Sequence, residues 1–222
     1  MKKCLQYFWP FLWPNISAMA AFEAVVVVLA VVSGTPQGKE GIFATYFYSM
    51  PLLILLFLFM YSVSLTTATL NLAIAMGGTR RAYFQGMQLI LAVYALIGWG
   101  LTLFMPLIPQ LGSWQTTNHL QILMLVTGRY ALLYPLLCLA ILVVGCLAGL
   151  LMVRSKALGI FVMFVAILVS IAGVVVLALA GMGIFGLGFT PLFLPISVVV
   201  LLAILILGEL LLWRSIRRYV VR

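Results

Sequence analysis

Few side chains in this chain can do chemistry. In 222 residues there are three acids, Glu23, Glu40 and Glu209, and one histidine, His119. Metal centres need His, Cys, Asp or Glu converging in threes or fours, and ligands this sparse predict no metal site. Neither GxSxG nor HExxH occurs, and no serine has an adjacent base. GTPQGKE, residues 34–40, looks like part of a phosphate-binding loop. Its spacer is one residue short, however, and Glu40 stands where a Ser or Thr would hold magnesium. The expectation is a chain without catalytic residues or a cofactor of its own, so that ATP-driven work would need a separate protein. An intramembrane enzyme would require chemistry that no motif here announces. Cys4, Cys138 and Cys146 show no CxxC spacing, and the latter two read as small packing residues.

Two of the acids are unusual in their surroundings. Glu23 and Glu209 lie inside apolar runs, each expected one to two turns from a cytoplasmic helix end. A carboxylate at the centre of a span costs about 2.5–3.5 kcal/mol, less near the edge, so each should face protein or water and find a partner. For Glu209 the expected partners are the basic helix ends, with Arg214 and Arg217 nearby though not at i+3 or i+4. A second polar set is Ser62, Ser64, Thr66, Thr67, Thr69 and Asn71 within one apolar run. These side chains either make helix-packing hydrogen bonds or line a polar pathway.

The elements that must position these groups follow from composition. Hydrophobic residues make up 66% of the chain and charged residues 7%. A soluble domain carries roughly a quarter charged residues, so this chain belongs in a bilayer. Spans of about 20 apolar residues are predicted at 16–32, 48–76, 87–108, 130–153, 157–180 and 192–213. The fold class is all-α, a polytopic protein with six transmembrane helices. Lys2, Lys3, Arg80, Arg81, Arg154, Lys156, Arg214, Arg217, Arg218 and Arg222 fall on one side of such a layout, and only Lys39 and Arg129 on the other. Positive residues mark the cytoplasmic side, which puts both termini there and predicts a multi-pass protein of a cell membrane, the bacterial cytoplasmic membrane. The same grouping argues against nucleic acid as a partner, because no basic face is interleaved with exposed aromatics. A cleaved signal peptide is not expected, because an aromatic-rich stretch separates Lys3 from the first run and Glu23 interrupts it. Within residues 1–15, Leu5, Phe8, Trp9, Leu12 and Trp13 recur at i, i+3, i+4, i+7 and i+8. They predict an amphipathic helix lying in the membrane interface ahead of a transmembrane domain over 16–222. Gly145 and Gly149 form a GxxxG that permits close helix approach, read as packing within the chain. GMGIFGLGFTPLFLP (181–195) reads as a short helix or re-entrant turn at the outer interface, covered by protein.

Between the second and third runs lies AMGGTRRAYFQGM, residues 75–87. Gly77 and Gly78 let a helix stop, because glycine tolerates positive φ. Thr79 can cap a new short helix. Arg80, Arg81 and Gln85 would then project outward while Tyr83, Phe84 and Met87 cover an apolar surface. The order Gly77, Gly78, Thr79, Arg80, Arg81, Phe84 resembles a motif after the second span of the ABC-2 type (type V) transporter permeases. Six spans, internal termini, an interfacial helix before the first span and a partly buried outer segment before the last are also similar to that family. The outer loop after span three is longer than the family pattern.

The resemblance implies a permease subunit of an ATP-driven exporter of a peptide, lipid or drug-like substrate. Segment 77–86 would be the coupling element that docks on a separate ABC ATPase, the subunit that binds ATP and Mg. A second permease copy or a related permease would complete the pathway, with spans one, two and five as candidate lining. The alternative is a non-transporting membrane scaffold or immunity protein that offers the same basic segment to a partner.

Overall fold

The computed structural model describes residues 2–32, 50–104, 133–181 and 193–219. Six α-helices hold nearly all of them: α1 Lys2–Val32, α2 Met50–Ala75, α3 Arg80–Phe104, α4 Leu133–Arg154, α5 Lys156–Gly181 and α6 Phe193–Arg218. Five contain stretches long and apolar enough to cross a membrane: Phe8–Leu29, Met50–Ala75, Arg80–Phe104, Leu133–Arg154 and Pro195–Arg218. The span expected at 157–180 coincides with α5, whose side chains are described only as far as Leu168. The segment 182–192, the loops holding Lys39, Glu40, His119 and Arg129, Arg222, and the side chains of Lys2, Lys3, Cys4 and Leu5 lie outside the described residues.

The first helix departs from the expected layout. The expected interfacial segment and the first span belong to one helix, because α1 runs unbroken through Pro10 and Pro14. Side-chain donors reinforce the backbone just past them: Asn15 Nδ2 donates to Phe11 O at 2.8 Å and Ser17 Oγ to Trp13 O at 2.9 Å. Proline inside a membrane helix is tolerated. The predicted apolar face also divides. Phe8 and Leu12 are buried in the bundle, with Met19 and Val26 farther along, while Trp9 and Trp13 are exposed and stack edge to face.

At the centre, α2 and α4 cross at the predicted glycines. A Cβ on Gly145 would lie 1.9 Å from Ser62 Oγ and 2.9 Å from Phe59 O. On Gly149 it would lie 2.0 Å from Thr66 Oγ1 and 2.7 Å from Val63 O. Only glycine permits this approach, so the GxxxG closes an intramolecular crossing. Because Ser62 meets Gly145 and Thr66 meets Gly149, α2 and α4 run the same way. Tyr134 at the start of α4 donates to Pro51 O at the start of α2, 2.8 Å away. Cys138 and Cys146 are buried free thiols on that face of α4, in the packing role expected of them.

Helix α4 also packs against α3, α5 and α6 and is the hub of the bundle. Val143 and Leu147 receive Gly208 of α6. Ser155 breaks the chain between α4 and α5, and Gly159 lies so close to Met152 that a side chain there would clash. The outer helices leave broad apolar faces uncovered: Phe161 and Phe164 on α5, Val199, Ile206 and Leu210 on α6, Val25 and Val28 on α1. Faces this large and apolar fit contact with lipid chains.

Candidate functional site

Helix α2 ends in a Schellman motif. Gly78 N donates to Ala73 O at 2.8 Å and Gly77 N to Ile74 O at 3.0 Å. Gly77 has φ +79°, the left-handed conformation that favours glycine. Two residues later Thr79 caps α3, its Oγ1 accepting from Ala82 N at 3.2 Å. The expected stop and cap are both present. The new helix is not short, however. Its first turn continues without a break to Phe104, so the elbow is the end of a membrane-length helix.

Ring and hydrogen-bond contacts hold this elbow on two sides. Toward α1, Tyr83 stacks on Phe8 with centroids 5.2 Å apart, and its hydroxyl lies 3.0 Å from Thr69 Oγ1. Toward α6, Phe84 stacks on Trp213 at 5.1 Å, and Arg80 Nη1 donates to Arg217 O at 2.5 Å. That arginine neutralises the carbonyl-rich, partly negative end of α6. Tyr219 OH donates to Asn71 Oδ1 at 2.6 Å, and Gln88 Nε2 to Glu209 Oε2. Arg80, Arg81 and Gln85 are exposed, Tyr83 and Met87 fully buried, and Phe84 partly so. Arg81 has no hydrogen bond or ion pair among the described residues and is the free cation of the elbow.

The contact directions show which helix ends meet. With α2 and α4 parallel and α6 antiparallel to α3, the side chains of Arg80, Arg81, Arg154, Lys156, Arg214, Arg217 and Arg218 share one end of the bundle. The Phe8–Tyr83 contact brings the start of α1 to that end as well. No ion pair forms among the described residues, so this basic end lacks acidic compensation from the described chain.

The polar run of α2 divides by face. Ser62, Thr66 and Thr69 are buried, whereas Ser64 and Asn71 are exposed and Thr67 is intermediate. Hydroxyls of Ser62, Ser64, Thr66 and Thr67 all turn back to carbonyls of their own helix, at 2.7 Å to Phe59 O, 2.8 Å to Tyr61 O, 3.1 Å to Ser62 O and 3.0 Å to Val63 O. Ser62 and Thr66 thereby become compact, satisfied knobs for the two glycines of α4.

Both intramembrane acids differ from expectation. Glu209 does not pair with Arg214 or Arg217; its partner is the Gln88 amide. At i+5 and i+8 the arginines start about 7.5 and 12 Å farther along α6, while Glu209 meets Gln88 of α3. Glu23 is not near the elbow end. The unbroken α1 begins there, and from Phe8 to Glu23 it climbs about 22 Å at 1.5 Å per residue. The stacking of its neighbour Phe22 on Phe57, with centroids 5.6 Å apart, fixes the depth. Gln88 and Trp213 were not singled out in the sequence. A lone amide early in a span, matched to a lone carboxyl late in another, is the signal that could have paired Gln88 with Glu209.

At mid-depth several polar groups are unsatisfied. Tyr61 OH, Tyr94 OH, Trp99 Nε1 and Glu23 Oε1 are buried with no hydrogen-bond partner among the described residues. Among the described residues no three His, Cys, Asp or Glu side chains converge as metal ligands would.

No family model, curated protein or solved structure matches this chain.

Proposed function

We propose that this chain is the membrane-spanning permease subunit of an ATP-driven exporter of the ABC-2 type, with a separate ATPase docking on the elbow. One observation carries the reading: a capped turn ending in exposed Arg81, buttressed by α1 through Phe8 and by α6 through Trp213 and Arg217. A positive-inside signal needs only a charge. This turn has a built shape and adjoins two peripheral helices, as a point of force entry requires. The elbow end is the cytoplasmic end in this reading, and a second permease copy or a related permease completes the translocation pathway. The substrate is a peptide, lipid or drug-like molecule.

The test is co-purification with candidate ATPases from detergent-solubilised membranes. Arg81→Glu is the informative variant, because Arg81 has no partner among the described residues while Arg80 caps α6. Capture by wild type and loss of capture with Arg81→Glu, at unchanged thermal stability, supports the docking assignment. Retention with both Arg80→Glu and Arg81→Glu refutes it. An ATPase that binds yet shows no substrate-responsive turnover in vesicles would favour a scaffold.

A further inference from the structure

Glu23, Tyr61 and Tyr94 lie on facing stripes of α1, α2 and α3. The Phe8–Tyr83 contact sets the register of α1 against α3. Thr69 meets Tyr83 and Phe57 meets Phe22, so α1 runs opposite to α2 and parallel to α3. Eleven residues on from Phe8 and Tyr83, Met19 therefore comes level with Tyr94. Glu23 follows one turn farther, about 5–6 Å along the axis. On α2, Phe57 stacks beside Glu23, and Tyr61 lies one turn nearer the elbow with its ring centroid 4.1 Å from that of Tyr94. Tyr134 is within electrostatic reach of Glu23, but its hydroxyl is already committed to Pro51.

Three features distinguish this region from ordinary packing. Tyr61 and Tyr94 are 1% and 0% exposed, and both hydroxyls are unpartnered among the described residues. Glu23 keeps one enclosed oxygen without a partner, and no cation of the described chain lies at its depth. Phe22, next to Glu23 in α1, stacks on Phe57, and the Tyr61–Tyr94 ring pair follows about one turn nearer the elbow. Buried polar groups are nearly always satisfied in folded proteins, and an ionisable side chain inside a span ordinarily has a partner or a task. Water would satisfy the hydroxyls but supply no positive charge to the carboxylate.

We propose that the α1–α2–α3 seam at the depth of Glu23 is a binding station for amphiphilic organic cations. Glu23 supplies the counter-charge, the aromatic faces attract the cation through their quadrupoles, and Tyr61 and Tyr94 hydrogen-bond its amine groups. Phe22 and Val25 beside Glu23 are exposed on the outside of the bundle, so an amphiphile can enter from the lipid. As a loading point for transport, the station rests on the permease reading. As a binding site it does not.

The test uses the full chain in phosphatidylcholine nanodiscs, without ATPase or nucleotide, titrated with ethidium and followed by fluorescence. Wild type should bind saturably, one ethidium per chain. Glu23→Gln should weaken binding about tenfold, as loss of one charge-assisted contact does. Tyr61→Phe with Tyr94→Phe keeps the rings and should weaken it severalfold, whereas Glu209→Gln should leave it unchanged. Absence of saturable binding by wild type overturns the proposal, as does wild-type affinity in Glu23→Gln. If Glu23→Gln does not fold, the double phenylalanine variant decides, and unchanged affinity there overturns it. Because the assay contains no ATPase, failed co-purification with intact ethidium binding would refute the permease reading alone, and the converse would refute the station alone.

Discussion

Tyr83 and Tyr94 lie on the same stripe of α3, both fully buried. The hydroxyl of Tyr83 meets Thr69, while that of Tyr94 meets nothing among the described residues. The same contrast runs through their surroundings. Around Tyr83 each cross-helix polar pair is closed: Gln88 with Glu209, Asn71 with Tyr219, Arg80 with the end of α6. Around Tyr94 are Tyr61 and Glu23 with open valences. The elbow end has these cross-helix pairs closed and presents Arg81 outward. The mid-depth seam has its bonding incomplete and faces inward. In the proposed reading one region transmits a push and the other receives a ligand.

Mutations can break or sharpen that contrast. The largest effect belongs to the frame both regions share. Gly149→Leu drives a side chain into Thr66 and the Val63 carbonyl and should separate α2 from α4. A loss of about 3 kcal/mol or more is expected, read as aggregation or a collapsed thermal midpoint in detergent. Gln88→Leu comes next. It strands Glu209 and should cost about 1–3 kcal/mol, with Glu209→Leu in the same chain recovering most of it. Thermal midpoints of both single variants and the double variant check this cycle.

Tyrosine-to-phenylalanine changes then separate the two regions directly. Tyr83→Phe leaves Thr69 without its cross-helix partner and should destabilise by about 1 kcal/mol. Tyr94→Phe removes an unsatisfied hydroxyl and should be neutral or stabilising in the absence of ligand. Equal destabilisation by both, measured by thermal unfolding, would remove the distinction. Gly77→Ala forces a side chain into the left-handed conformation at a cost of about 1 kcal/mol, and should speed proteolysis at the elbow before anything else. Smallest in stability is Arg81→Glu, whose thermal midpoint should match wild type even as partner capture is lost.

The stop at Gly77, the cap at Thr79 and the crossing at Gly145 and Gly149 were legible because each depends on local backbone geometry and a small residue. The border between α4 and α5 was legible because both apolar runs stop at Arg154, Ser155 and Lys156. Two features were not. The end of the aromatic stretch at residue 15 reads as the border between an interfacial helix and a span, yet α1 runs through it without a break, Pro10 and Pro14 included. That misplacement also put Glu23 at the wrong depth, because depth was counted from the assumed border. The bond between Gln88 and Glu209 joins residues far apart in sequence, and no local pattern specifies which helices will be neighbours. Nearby Arg214 and Arg217 offered an easier pairing, but Glu209 takes the Gln88 amide instead.

Two backbones that touch, with the oxygens of Ser62 and Thr66 seated in the notches of Gly145 and Gly149, cannot slip past each other by less than a full helical repeat. The α2–α4 pair therefore behaves as a rigid spine. Any change of shape has to be carried by the limbs around it, α1 swinging on its contacts with Phe57 and Tyr83, and α6 moving with the arginine that caps it.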